Sequence, residues 1–260
     1  MAIIKAPFTI TGTLDNLNFY IDQDNVNRVR TKGKSGISSK EFHSNPIYNR
    51  IKQHNKEFGS AVKTSRIFRA LASSFNSRAK DGSFAGRANK LLFEILEEDT
   101  QNPLGERSVA CGLDTAAGAQ LLVGFEGNKL KPLYQTLQKK GYWNASSASF
   151  NLPQLSLLND IQWPEQAAYV HFAVALSHWD YKLETYNTTY SEEVILEKKE
   201  QTLDLCLKPT ALQADKLVLL FVFLSFSENY KNKIRPLKRS FNSVTIQQVL
   251  KHSITTNVAL

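Results

Sequence analysis

An apolar run near the C-terminus, residues 217–226, constrains the fold more than any other feature of this 260-residue chain. Apart from Ser225, every side chain in it is apolar, so both faces of an extended segment would be apolar. A strand of this kind must be covered on both faces, which is typical of a central strand in a sheet. The run is too short to cross a bilayer as a helix. We therefore predict that residues 217–226 form an inner strand.

The sequence pattern in the rest of the C-terminal half is also typical of a β protein. In residues 169–179, Val170, Phe172 and Val174 alternate with smaller or polar residues, as in a strand with one buried face. The other strand candidates are residues 108–111, 120–125, 149–152, 203–207 and 244–249. Strands at this spacing indicate an antiparallel β-sandwich. We expect an α+β chain with a β-sandwich domain over residues 105–260, preceded by a basic hairpin and helical region over residues 1–104.

The N-terminal segment predicts a β-hairpin. Residues 17–21 alternate apolar and polar side chains, residues 22–25 are short polar turn formers, and alternation resumes over residues 26–32. A second interpretation is a three-stranded meander, in which residues 8–13 form a strand beside the hairpin. A lone hairpin is only marginally stable, so its apolar side chains need the rest of the chain or another copy. The candidate self-association residues are Leu17, Phe19, Ile21 and Val29.

A helical stretch follows a loop over residues 32–42. Asn45 and Pro46 form a helix start, and apolar residues then recur in steps of three and four up to Phe75. An unbroken helix here would be about 45 Å long, and Gly59-Ser60 is the expected position of a kink. A second amphipathic helix is expected over residues 84–98.

The charge is concentrated in the front third of the chain. Residues 1–90 contain 16 Lys and Arg against 6 Asp and Glu, whereas residues 91–260 contain 16 against 18. The whole excess of the net charge of +8 therefore lies before residue 91. This asymmetry favours a polyanion or an acidic protein surface as a partner, with a solvated basic helix face as the alternative.

Alternate basic residues in the hairpin give the most specific binding pattern. In an extended strand, side chains two residues apart point to the same face, and a row of cations on one face can follow phosphates. Lysines and arginines also protect exposed strand edges from unwanted pairing, so that interpretation stays open. The candidate polyanion-binding residues are Arg28, Arg30, Lys32 and Lys34.

No motif for catalysis, metal binding or cofactor binding emerges. The string around Gly33 and Gly36 lacks the spacing of a phosphate-binding loop. The two cysteines, Cys111 and Cys206, are expected to be buried free thiols. We predict a non-enzymatic protein without a cofactor, while a catalytic triad, whose members converge only in space, stays an open alternative.

Strict alternation places two histidines of residues 169–179 apart. His171 and His178 are seven residues apart in one strand candidate, so they are expected on opposite faces and could share a metal only if the strand contained a bulge.

The N-terminal residues resemble a family of uncharacterised Bacteroidota proteins. Their opening pairs G-x-x-x-N-x-x-x-Y with a later V-R-x-K, followed by a helical stretch and a β-rich half. The matching positions here are Gly12, Asn16, Tyr20, Val29, Arg30 and Lys32. The specific likeness covers roughly residues 8–75 and implies no activity. Asp15 stands where the family often has glycine, so the turn before Asn16 is expected to differ.

Two functions follow as hypotheses. The first is a structural protein, a homo-oligomer that assembles into a filament, tube or shell through its N-terminal strands. The second is a nucleic-acid-binding accessory or coat protein that uses the basic front third. The N-terminus lacks the apolar run of a cleavable signal, and we expect no membrane insertion. The expected location is the cytoplasm or an assembled particle.

Overall fold

The structure is a computed structural model that describes residues 2–3, 8–22, 24–33, 36–210, 217–231 and 233–251. The chain forms two compact units, Met1–Lys52 and Gln53–Leu260. The predicted division into a basic hairpin and helical region over residues 1–104 and a β-sandwich domain over residues 105–260 stays a prediction.

The first unit contains an antiparallel four-stranded sheet. Its strands are β1 (Ala2–Ile3), β2 (Gly12–Leu14), β3 (Leu17–Ile21) and β4 (Asn27–Thr31), in the spatial order β1-β4-β3-β2. The expected hairpin is therefore present as β3 and β4. Asp15 adopts a left-handed φ of 49° between β2 and β3. Aspartate tolerates this region better than most residues, so the tight turn forms without glycine.

A short helix occupies part of the segment expected to be a loop. Helix α1 (Ser39–Ser44) begins after Ser38, whose hydroxyl accepts a hydrogen bond from the Glu41 backbone N–H at 3.1 Å. This is the serine–glutamate spacing of a helix start, a signal present in the sequence. A 3-10 helix (Pro46–Tyr48) follows, and the Asn45 side chain caps it as expected.

The long helical stretch is divided near Ala72. Helix α2 (Asn49–Ala70) runs unbroken through Gly59 and Ser60, and α3 (Ser73–Ala79) follows it. The interruption is at Ala72, which is fully buried and has a left-handed φ of 45°. Asn76 Nδ2 donates to the Leu71 carbonyl at 2.7 Å, so side-chain capping stabilises the break. Helix α4 (Phe84–Glu97) matches the second expected helix.

Two strand predictions were wrong. The segments at residues 108–111 and 120–125 belong instead to a region of short helices, α5 (Val109–Leu113), α6 (Ala116–Gln120) and α7 (Leu133–Thr136), with turns after α6. Ser108 and Thr115 cap α5 and α6 through their hydroxyls. A Cβ on Gly112 would lie 1.9 Å from the Ile95 carbonyl oxygen, so glycine permits close packing of α5 on α4.

The remaining strands form two antiparallel sheets, and the inner-strand prediction is confirmed. They are β5 (Tyr142–Asn144), β6 (Ser149–Ser156), β7 (Tyr169–Asp180), β8 (Thr185–Tyr190), β9 (Val194–Glu197), β10 (Thr202–Leu207), β11 (Leu217–Tyr230), β12 (Lys233–Pro236) and β13 (Ser243–Lys251). The smaller sheet has the order β10-β6-β5. In the larger sheet β11 pairs with β7 on one side and with β12 and β13 on the other, while β8 and β9 pair with β7.

The two faces of β7 and β11 contribute to two apolar cores. On one face, residues such as Phe221 and Phe223 share a core with α2, α3 and α4. On the other, residues such as Phe172 and Leu220 share a core with the smaller sheet. The α+β prediction is confirmed, and the two-faced apolarity of β11 is explained because helices cover one face and strands the other.

Candidate functional site

The N-terminal sheet has one apolar face. In the register of β2, β3 and β4, Leu14 lies opposite Leu17, and Phe19 lies opposite Val29, so these side chains share a face with Ile21. Leu14 is 65% exposed, Leu17 40% and Ile21 42%, while Phe19 and Val29 are half-buried. The four residues predicted for self-association thus lie on one surface, and Leu14 extends it. We call these five residues the apolar face.

The first unit has no apolar core of its own. Among its described residues, no apolar side chain is buried, and neither α1 nor the 3-10 helix buries any residue. Its buried residue is Asn27, whose side-chain amide has no hydrogen-bond partner in the described chain. Sheets of this size are stable when an apolar face is packed against something. The unit therefore presents a surface that gains free energy when it is covered.

The backbone of the hairpin is already partly paired. β2 pairs with β3 over Gly12–Leu14, and β1 pairs with β4 at Val29 and Arg28. The chain itself thus satisfies part of the edge hydrogen bonding that strand addition to a neighbour was expected to supply. On the apolar face, by contrast, Leu14, Leu17 and Ile21 keep exposed side chains.

The opposite face of the sheet carries the predicted cations. The register places Arg28 beside Tyr20 and Arg30 beside Asn18 on one face, and Arg30 lies 5.5 Å from the centre of the Tyr20 ring. Lys32 is exposed, and its backbone N–H donates to the Asn16 carbonyl at 2.6 Å. Lys34 lies outside the described residues.

Arg28 has a structural partner that the sequence pattern did not indicate. Its guanidinium donates to Asp22 Oδ2, while Asp22 Oδ1 accepts from the backbone N–H groups of Asp24 and Val26 at 2.9 and 2.8 Å. The hydrogen bond from Arg28 lowers the pKa of Asp22, and the same contact raises the pKa of Arg28. Arg28 therefore holds the β3–β4 turn, which makes it a weaker candidate for phosphate contacts than Lys32.

Helix α2 carries a second cationic surface. Lys56, Lys63 and Arg66 are exposed and follow one another at intervals of seven and three residues, which places them on one stripe about 15 Å long. None of them has an ion-pair partner among the described residues. The acidic residue of α2, Glu57, is buried and bonded to Arg107 instead. The intervals of seven and three residues between these cations carry the signal for this stripe in the sequence.

A partly buried polar cluster joins α3 to the larger sheet. Arg78 donates two hydrogen bonds to Glu193 at 2.7 and 2.9 Å and one to Ser225 at 3.1 Å. His171 Nδ1 lies 2.8 Å from Glu193 Oε1, and His171 Nε2 lies 2.7 Å from the Ser227 hydroxyl. The hydrogen bonds from Arg78, and then the contact with His171, lower the pKa of Glu193 to about 2.

The serine, histidine and glutamate of this cluster are connected as in a hydrolase triad, but the geometry does not support catalysis. Ser227 is completely buried within β11, so a substrate cannot reach its hydroxyl. His171 Nδ1 is also poorly aligned for a hydrogen bond despite its short distance to Glu193. The cluster connects the sheet to α3, a structural role that the sequence could not indicate because its members are far apart along the chain.

Other candidate chemical groups remain separate. His178 lies on the face of β7 opposite His171, as alternation predicted, and burial lowers its pKa. Among the residues that the structure describes, no group of three or more His, Cys, Asp or Glu is gathered in a metal-binding arrangement. The cysteines are free, but the expectation that both are buried was wrong, since Cys111 is half-buried and Cys206 is exposed.

None of the helices in the described ranges combines the length and the apolarity needed to span a bilayer. Comparisons with protein-family models, with curated proteins and with solved structures find no match to this chain.

Proposed function

We propose that this protein is a structural subunit whose copies associate through the apolar face of the N-terminal sheet. The observation that carries the proposal is a four-stranded sheet with one exposed apolar face in a unit that buries no apolar side chain among its described residues. Covering such a face removes apolar area from water, which is the main favourable contribution to protein association.

A second copy of the same chain is the occupant that best fits this face. The face carries no charged side chain, so two copies can approach without repulsion between like charges. Its strands are paired and its side chains alternate, so two such faces can interdigitate as sheets do in a sandwich. A two-fold arrangement uses the same patch on both copies and needs no further partner. Repetition through additional contacts would extend the pair into a filament, tube or shell.

Charge substitutions on the two faces of β3 test the proposal. Leu17→Asp places a carboxylate on the apolar face, and Asn18→Asp places the same charge on the opposite face of the same strand. We expect light scattering coupled to gel filtration to show reduced mass for Leu17→Asp and unchanged mass for Asn18→Asp. Equal masses for all three proteins would contradict the proposal.

Nucleic-acid binding is the second candidate function, and the stripe of Lys56, Lys63 and Arg66 favours it. These three cations lie along about 15 Å of helix without an ion-pair partner among the described residues, so they are available to contact the phosphates of a nucleic acid. Replacement of all three with alanine is expected to reduce the salt dependence of duplex DNA affinity by roughly three phosphate contacts. Replacement of Arg28, Arg30 and Lys32 with alanine measures, in the same assay, how much the cations of the N-terminal sheet contribute to DNA affinity. Wild-type protein that fails to retain DNA at low salt would exclude this function.

A further inference from the structure

A cleft in the second unit lies between the segment that contains α7 and strand β13. Its volume is about 520 Å³, within the range of small-molecule sites. Leu133, Leu137, Phe150 and Ile246 give it an apolar lining. The cleft shares no lining residue with the apolar face of the N-terminal sheet.

The cleft contains a carboxyl group with an unused acceptor. Glu126 Oε1 accepts from the Leu133 backbone N–H at 3.1 Å, whereas Glu126 Oε2 is buried and has no hydrogen-bond partner in the described part of the chain. Burial raises the pKa of Glu126 to about 7, against the smaller opposing effects of nearby Thr245 and Arg87. A carboxylate that is largely removed from water is unfavourable, so a ligand ammonium group that pairs with it would gain a strong, charge-assisted interaction.

Positive charge lines the same cleft. Lys139 is half-buried and Lys140 is exposed, and neither forms an ion pair with a described residue. A ligand that carried positive charge alone would be repelled by these lysines, and a purely anionic ligand would be repelled by Glu126. A molecule with an ammonium group and a carboxylate group at separate positions satisfies both requirements.

We propose that this cleft binds a small zwitterion of the apolar α-amino-acid type. The ammonium group pairs with the Glu126 carboxylate, the apolar side chain packs on the cleft lining, and the carboxylate of the ligand lies towards Lys139 and Lys140. A free amino acid and a short peptide present the same two charged groups at different separations, so ligand length distinguishes them.

Binding to the wild-type, full-length protein tests the ligand chemistry directly. Protein-observed NMR titration with L-phenylalanine should give saturable shifts. N-acetylphenylalanine lacks the ammonium group and phenylalaninamide lacks the carboxylate, so each should bind at least about 10-fold more weakly. Comparison of the affinities of the dipeptide Phe-Leu and of L-phenylalanine shows whether the cleft prefers a short peptide or a free amino acid. Absence of saturation at about 10 mM for every ligand, or equal binding of the blocked and free forms, would overturn the proposal.

Variants assign the two charged contacts. Glu126→Gln should weaken L-phenylalanine binding at least about 10-fold, and Glu165→Gln, at an exposed glutamate outside the cleft, should leave it unchanged. The double variant Lys139→Ala, Lys140→Ala should weaken binding of the amino acid but not of its amide. Circular dichroism verifies that each variant is folded. If Glu126→Gln does not fold, the affinities of the wild-type protein for the free and blocked ligands test the proposal.

The pH dependence provides an independent readout. Affinity should rise between about pH 6 and pH 8, because Glu126 ionises in this range and its carboxylate attracts the ammonium group. The other charged groups near the carboxyl are Arg87, which is paired with Asp81, and the two cleft lysines. An affinity that is independent of pH would show that Glu126 is not the ammonium contact.

Discussion

Replacement of Leu17 with aspartate should weaken self-association by an amount that follows from its exposure. Burial of a whole leucine side chain stabilises by about 1.5–3 kcal/mol, so covering the exposed two-fifths contributes about 0.6–1.2 kcal/mol per copy. A two-fold interface contains this contact twice, and its loss amounts to about 1.2–2.4 kcal/mol, or about 8- to 60-fold in the dissociation constant. Desolvation of the new carboxylate adds to the loss, so this range is a lower bound.

Sedimentation velocity over a concentration series of the full-length protein measures this dissociation constant. The Asn18→Asp protein carries the same added charge on the opposite face of β3 and controls for net charge. We expect Leu17→Asp to dissociate at concentrations at which Asn18→Asp and the wild type remain associated. Identical dissociation constants for the two variants would refute the assignment of the interface to the apolar face.

Three further predictions concern the second unit. Phe221 is 4% exposed, so Phe221→Ala should lower the free energy of unfolding in urea by about 3–5 kcal/mol, and a loss near zero would contradict its place in the core. Glu57→Ala leaves the mostly buried Arg107 guanidinium without its partner and should lower the free energy of unfolding by about 3–5 kcal/mol. An unchanged midpoint of urea unfolding would show that the ion pair does not stabilise the fold. The depressed pKa of Glu193 contributes stability that is present above its usual pKa of 4.5 and is lost as the pH falls towards about 2. Between these pH values, the free energy of unfolding measured in urea should therefore fall less for Glu193→Gln than for the wild type. An equal fall in both proteins would contradict the role of this carboxylate.

Regular strands and helices with long, consistent patterns were predictable. The two-faced apolarity of residues 217–226 identified β11 as an inner strand because each of its faces needed a separate cover. Alternation identified β7, and helical spacing identified α4. What covers the second face of β11 was not predictable, because the helices packed on it come from a distant part of the chain.

Short apolar runs between residues 105 and 140 were misassigned for a physical reason. A run of four to six apolar residues fits a strand and a buried helical turn equally well, so periodicity alone does not separate them. The capping serine and threonine, Ser108 and Thr115, carried the deciding local signal. The close approach of Gly112 to Ile95 is a tertiary contact that no local pattern records.

The candidate site was only partly visible in the sequence. Alternation placed Leu17, Phe19 and Ile21 on one face, because a strand has a side-chain period of two. It did not show that β1 would pair with β4, or that Asp22 would hold Arg28. Such pairings depend on the folded backbone, which brings together groups whose spacing in the sequence has no characteristic period.

Electron microscopy of purified full-length protein tests self-association most directly. We expect discrete particles or filaments larger than one chain, which disperse to single chains in Leu17→Asp and persist in Asn18→Asp. Single chains in the wild-type sample, at concentrations well above those of the cell, would contradict the central proposal that this protein is a self-assembling subunit.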